Sequence, residues 1–84
     1  MTRKPDDRDF SMLVVNTGGS GFLNPRTYDP PLRARVTTAT YGQGTQTYEL
    51  DVVARYKQWL LVRQVAPGWG EWQAWVPQSH CTRI

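Results

Sequence analysis

Along the second half of the chain, apolar and polar side chains alternate, the signature of strands with one face toward a core. Leu32, Ala34, Val36 and Thr38 alternate with Arg33, Arg35 and Thr37, which predicts a strand over residues 32–38 and a turn at Tyr41-Gly42-Gln43-Gly44. Tyr48, Leu50, Val52 and Ala54 alternate with Glu49, Asp51 and Arg55, a second strand that stops at Tyr56-Lys57-Gln58. Trp59-Leu60-Leu61-Val62-Arg63-Gln64-Val65 reads as a third and Pro67-Gly68-Trp69-Gly70 as a turn. Residues 71–76 form a fourth, ended by Pro77 because proline has no amide to give a ladder. Residues 81–84 are long enough for a short fifth. No apolar run repeats at helical spacing, so the expected fold is all-β: a small five-stranded barrel, since closing a sheet removes its edges.

Residues 1–31 follow no such pattern. A charged start gives way to Leu13-Val14-Val15, then to Asn16-Thr17-Gly18-Gly19-Ser20-Gly21 and Asn24-Pro25-Arg26-Thr27-Tyr28-Asp29-Pro30-Pro31. Glycine admits positive φ and proline lacks a donor, so neither cluster is expected inside a helix or a central strand. The chain divides into a mostly irregular N-terminal arm, 1–31, and a barrel, 32–84. Phe10, Met12 and Val14 alternate and are the arm's candidate for one short strand docking on the remainder.

Composition narrows the function classes. Of 84 residues only 17 are Leu, Ile, Val or Phe, and a chain this short buries only about 60 to 65% of the surface its unfolded form exposes. A two-lobed enzyme with a deep cleft is not expected. One cysteine forms no internal disulfide, and one cysteine with one histidine does not make a zinc finger. The aliphatic stretch 12–15 is far below the roughly 20 residues that span a bilayer. Arg3 and Lys4 are followed by Asp6, Asp7 and Asp9 rather than an apolar signal region, so a cytoplasmic location is expected. The net charge is +3. Within the arm, Arg3, Lys4, Arg8 and Arg26 cancel Asp6, Asp7, Asp9 and Asp29, whereas the barrel sets Arg33, Arg35, Arg55, Lys57, Arg63 and Arg83 against Glu49, Asp51 and Glu71. The whole excess belongs to the barrel, and it is mild.

Four short pieces of residues 32–84 carry a resemblance. Leu32-Arg33-Ala34-Arg35 looks like an opening Leu-x-Val-Arg strand, Gln58-Trp59-Leu60-Leu61-Val62-Arg63 like Gly-Trp-x-x-Val, and Ala74-Trp75-Val76-Pro77 like Gly-Trp-Val-Pro. Pro77-Gln78-Ser79-His80-Cys81 stands where Pro-x-x-Tyr-Val would form a 3₁₀ turn into the last strand. Together they resemble Src-homology-3-like small β-barrels, most of all the bacterial Src-homology-3 variety. The resemblance implies a ligand groove around Trp59, Pro77 and His80. Ala74 replaces a glycine, His80 replaces the groove tyrosine, and residues 37–47 lack both the Ala-Leu-Tyr-Asp-Tyr motif and the acidic loop. Binding of Pro-x-x-Pro peptides with a flanking arginine is therefore not implied. Bacterial members commonly bind cell-wall peptides beside a hydrolase; a stand-alone module is expected here.

No set of residues assembles a reaction in the sequence, and no enzyme and no cofactor are expected. Neighbours on a strand point to opposite faces, so His80 and Cys81 do not pair as base and nucleophile, and Cys81 reads as a small buried hydrophobe. Glu49 and Asp51 share a strand face about 7 Å apart, where pairing with Arg55 or Arg33 explains them. Gly18-Gly19-Ser20-Gly21 lacks the Lys-Ser/Thr of a phosphate loop.

The informative feature is aromatic. Trp59, Trp69, Trp72 and Trp75 fall within 17 consecutive residues, more than a small core hides. Alternation puts Trp72 with Ala74 and Val76 on one face and Trp75 with Gln73 on the other. Exposed tryptophans are typical interface hot spots. The expected partner-binding surface is Trp59, Trp75, Pro77, His80, Trp69 and Tyr41 or Tyr48, taking a protein segment as an adaptor or inhibitor does. The alternative is single-stranded nucleic acid, stacked on the same rings with Arg33, Arg35, Arg55, Lys57 and Arg63 on phosphates; six cations against three acids are thin for that. A third reading is an oligomeric accessory subunit of phage or plasmid type, assembling through its tryptophans.

Overall fold

The computed structural model describes residues 11–18, 22–66 and 70–84. Phe10, Gly19 to Gly21 and Trp69 lie outside the described residues. Five antiparallel strands form one sheet: β1 Arg26–Ala39, β2 Thr45–Tyr56, β3 Trp59–Ala66, β4 Gly70–Pro77 and β5 Cys81–Arg83, with a 3₁₀ turn at Gln78–His80 before β5. Their order is β4-β3-β2-β1-β5. No described helix is long and apolar enough to cross a membrane.

The alternation does what it predicts. Ala34, Val36 and Thr38 of β1, Leu50, Val52 and Ala54 of β2, Val62, Gln64 and Ala66 of β3, and Ala74 and Val76 of β4 are all buried. Register aligns them across the sheet, Ala34 opposite Leu50, Val52 opposite Val62 and Val62 opposite Ala74, so one face is largely apolar, with Thr38 and Gln64 its buried polar members. The β1–β2 turn is tied by the Thr40 amide and hydroxyl, both donating to the Gly44 carbonyl at 2.8 Å, with Gly44 at φ +66°. That left-handed conformation is one that glycine adopts without steric penalty.

β1 starts six residues earlier than the expected strand at Leu32 and includes Pro30-Pro31. The proline cluster, expected outside any helix or central strand, sits in an extended stretch that has no second neighbour. β5 pairs only with Ala34, Arg35 and Val36, and the β1–β2 register itself breaks between Thr27 and Leu32. A missing amide costs a ladder nothing where no ladder bond is due.

The arm is irregular but integrated. Leu13 and Val14 are almost fully buried, each worth about 1.5 to 3 kcal/mol of apolar burial, and Val14 belongs to the core cluster. On one side Val14 bridges Thr40, the Val15 amide donates to the Ala39 carbonyl, and the Tyr41 and Gly42 amides donate to the carbonyls of Leu13 and Ser11. On the other side the Thr17 amide donates to the Trp75 carbonyl, and the Trp75 amide donates to Asn16 Oδ1 at 2.7 Å. Residues 11–17 thus bond to both the end of β1 and β4. Among the described residues no ladder joins β4 to β1 or β5.

Candidate functional site

Strand register builds an aromatic face on the side away from the core. Tyr56 lies opposite Trp59, Trp59 opposite Pro77, and Trp75 opposite Leu61. Directly opposed residues share a face, so Tyr56, Trp59, Trp75 and Pro77 stand together, each half-buried. The arm supplies a fourth ring. Phe22 stacks on Tyr56 with centroids 4.4 Å apart, meets Trp75 edge-on at 5.0 Å, and tilts over Trp59 at 5.9 Å. Gly18 approaches the same place so closely that a Cβ there would lie 3.1 Å from Trp59 Cε3 and 3.2 Å from Phe22 Cζ. Lys57 Nζ lies 5.4 Å from the centroid of the Tyr56 ring. Lys57 itself, at φ +54°, makes the β2–β3 turn that presents both Tyr56 and Trp59.

Of the residues expected to form one groove, Trp59, Trp75 and Pro77 come together. The others go elsewhere. Tyr41 packs edge-on against Trp72 at 6.1 Å, and its hydroxyl accepts the Asn16 amide. Tyr48 opposes Val36 and packs on the core. His80 Nδ1 is 3.1 Å from the hydroxyl of buried Thr38, so it faces β1. Trp69 lies outside the described residues. Trp72 turns inward as alternation requires and donates its indole N–H to the Val14 carbonyl at 2.9 Å.

The sequence reading missed Phe22, Tyr56 and Gln64. Phe22 follows a glycine-rich stretch with no periodicity to mark it. Gln64 had a readable signal: a polar residue at an inward position between Val62 and Ala66 must find partners. It does, accepting the Val14 amide at Oε1 and donating from Nε2 to the Met12 carbonyl, both at 3.0 Å.

The cations are largely occupied. Asp51 receives Arg63 at 2.6 Å and Arg33 at 3.1 Å, and Arg35 pairs with Glu49 at 3.6 Å. The hydrogen bond from Arg63, then that from Arg33, holds the Asp51 carboxyl below its ordinary value of 3.8. Arg55, expected as a partner of this acidic pair, instead donates from Nε to the Lys57 carbonyl. Three of the five cations considered for phosphate contact, Arg33, Arg35 and Arg63, are therefore already paired. Burial pushes the Cys81 thiol up to about 11, and Sγ faces the Pro77 carbonyl at 3.9 Å. A thiol so protonated is a poor nucleophile, and His80 is committed to Thr38 rather than to it. Among the described residues no group of three His, Cys, Asp or Glu side chains is placed to hold a metal ion.

No family model, curated protein or solved structure matches this chain. The aromatic face therefore carries the functional reading.

Proposed function

We propose that the protein is a non-enzymatic binding module that takes a protein segment on the Tyr56, Trp59 and Trp75 face. The observation that carries this is Phe22. The face already holds an apolar aromatic side chain delivered by a loop-like stretch of chain, which is the kind of contact a partner peptide would make. A partner's aromatic side chain would take Phe22's place, so the protein's own arm competes with it. We infer further that the sheet is a Src-homology-3-like barrel, closed on its open side by residues 11–17. Supporting this are the 3₁₀ turn directly after Ala74-Trp75-Val76-Pro77, the return of β5 onto β1 and the pairing of Trp59 with Pro77. The nucleic-acid reading loses support because Arg33, Arg35 and Arg63 are held by acids.

Selection of peptides from a phage-displayed random library tests the proposal. Enriched peptides should share an aromatic anchor and lose binding to Trp59→Ala while that variant keeps its circular dichroism spectrum. Phe22→Ala should bind them several-fold more tightly, because apparent affinity scales with the fraction of molecules whose site is open. Peptides that bind Trp59→Ala and wild type equally would sink the site.

A further inference from the structure

A second concavity lies where the start of β1, the 3₁₀ turn and β5 meet, a cavity of about 370 Å³. Its wall is apolar. Tyr28, Leu32, Leu60 and Cys81 line it, and these same half-buried side chains pack against the core cluster on their other side. Two register shifts fall beside it, between Thr27 and Leu32 in β1 and between Val52 and Ala54 in β2. Shifts of this kind splay neighbouring strands and re-aim their side chains, which is how a thin core leaves an opening here.

The rim is cationic. Arg33, Arg55 and Arg83, from three different strands, line the cavity, and no acid is among its lining residues. Arg33 is engaged by Asp51. Arg55 uses Nε on the Lys57 carbonyl, which leaves its two terminal nitrogens. Neither Arg55 nor Arg83 has an ion-pair partner among the described residues. A guanidinium presents its donors as a planar fork that matches a carboxylate. An apolar wall with a few convergent polar groups, at the lower end of the roughly 300–1,000 Å³ range, is the usual make-up of a small-molecule site.

We propose that this cavity binds a small organic acid, a free carboxylate on an apolar body, with the body against Tyr28, Leu32 and Leu60 and the carboxylate held by Arg55 and Arg83. The site shares no residue with the aromatic face, so it stands or falls independently of the protein-binding reading. Its size admits a free small molecule and excludes a folded partner.

The test compares 4-phenylbutyrate with 4-phenylbutan-1-ol, the same body without the charge, by titration of ¹⁵N-labelled protein. The acid should give saturable shifts centred on Tyr28, Leu60, Cys81 and Arg83. The alcohol should bind about tenfold more weakly or worse, the worth of one charge-assisted hydrogen bond. The double variant Arg55→Gln with Arg83→Gln should bring the acid to the level of the alcohol without changing the alcohol's affinity, and its spectrum should keep the dispersion of a folded chain despite the lost bond from Arg55 to the Lys57 carbonyl. Cys81 is the only cysteine, so its alkylation by iodoacetamide at a fixed alkaline pH gives a second readout. The acid should slow that reaction in wild type and, at the same concentration, far less in the double variant. Equal affinity for acid and alcohol, shifts centred on the Trp59 and Trp75 indoles, unchanged acid affinity in the double variant, or no saturable shift at millimolar acid would each overturn the proposal.

Discussion

Trp72 and Trp75 lie three residues apart on β4 and belong to different parts of the molecule. Trp72 faces inward, packs on the core, meets Tyr41 and closes its indole N–H onto the Val14 carbonyl. Trp75 faces outward, and its ring contact is with Phe22. Its backbone, by contrast, is bonded in both directions to Thr17 and Asn16. The arm is therefore held by two kinds of attachment. Residues 11–17 are fixed by the main chain and by inward-facing polar side chains. Among the described residues Phe22 is held by ring contacts on an outer surface, so under the proposed function it is the part a competitor displaces.

Substitutions distinguish the two attachments. The largest effect is expected at the inner attachment. Leu13→Ala removes a side chain that is 1% exposed and should cost about 2 to 5 kcal/mol in urea unfolding. A cost below that range would mean that the arm is not part of the core. Next comes Trp72→Phe, which keeps most of the ring and leaves the Val14 carbonyl without its donor, for about 1 to 3 kcal/mol. Phe22→Ala should cost less, about 0.5 to 1.5 kcal/mol in total, the worth of one aromatic pair, because its ring is half-exposed on an outer face, while increasing the affinity of selected peptides. If Phe22→Ala destabilises more than Trp72→Phe, the distinction between fixed and displaceable attachment fails.

The smallest effect belongs to neither region and serves as a control. Because the native Asp51 carboxyl is held below 3.8 by Arg63 and Arg33, its pairs contribute stability above the unfolded value and lose it as pH falls through the lower native one. Asp51→Asn should therefore melt slightly below wild type at neutral pH, and the two curves should converge on acidification. Peptide binding on the aromatic face should be the same in both proteins. A melting difference that grows in acid would contradict the sign.

How far these regions were legible in the sequence follows from what each depends on. β2, β3 and β4 depend on alternation along one strand, and the inward and outward assignments of Trp72 and Trp75 could be read directly. β1 was legible only from Leu32, because prolines forbid a ladder bond but not an extended chain with one neighbour. Composition knows nothing of neighbours. The groove was half legible. Trp59, Trp75 and Pro77 meet through pairing of consecutive strands, whereas His80 and Tyr41 are placed by the 3₁₀ turn and by the arm, whose paths no periodicity encodes. Cys81, expected as a buried hydrophobe, is half-buried, because the cavity beside it draws its wall from four strands and the turn and exists only once they are assembled.

The polar clasp on residues 12–17 has a consequence in time as well as in space. Gln64, Trp72 and Trp75 lie 50 to 59 residues beyond the atoms that they bond. Contacts of such sequence separation pay their loop-closure entropy before they return anything, and they slow folding. During synthesis the strip that carries Leu13 and Val14 precedes all five strands, and its bonds to Gln64, Trp72 and Trp75 wait until β3 and β4 have been made. Any earlier seat against the end of β1 lacks that clasp, and incompletely packed apolar side chains of this kind expose a nascent chain to aggregation.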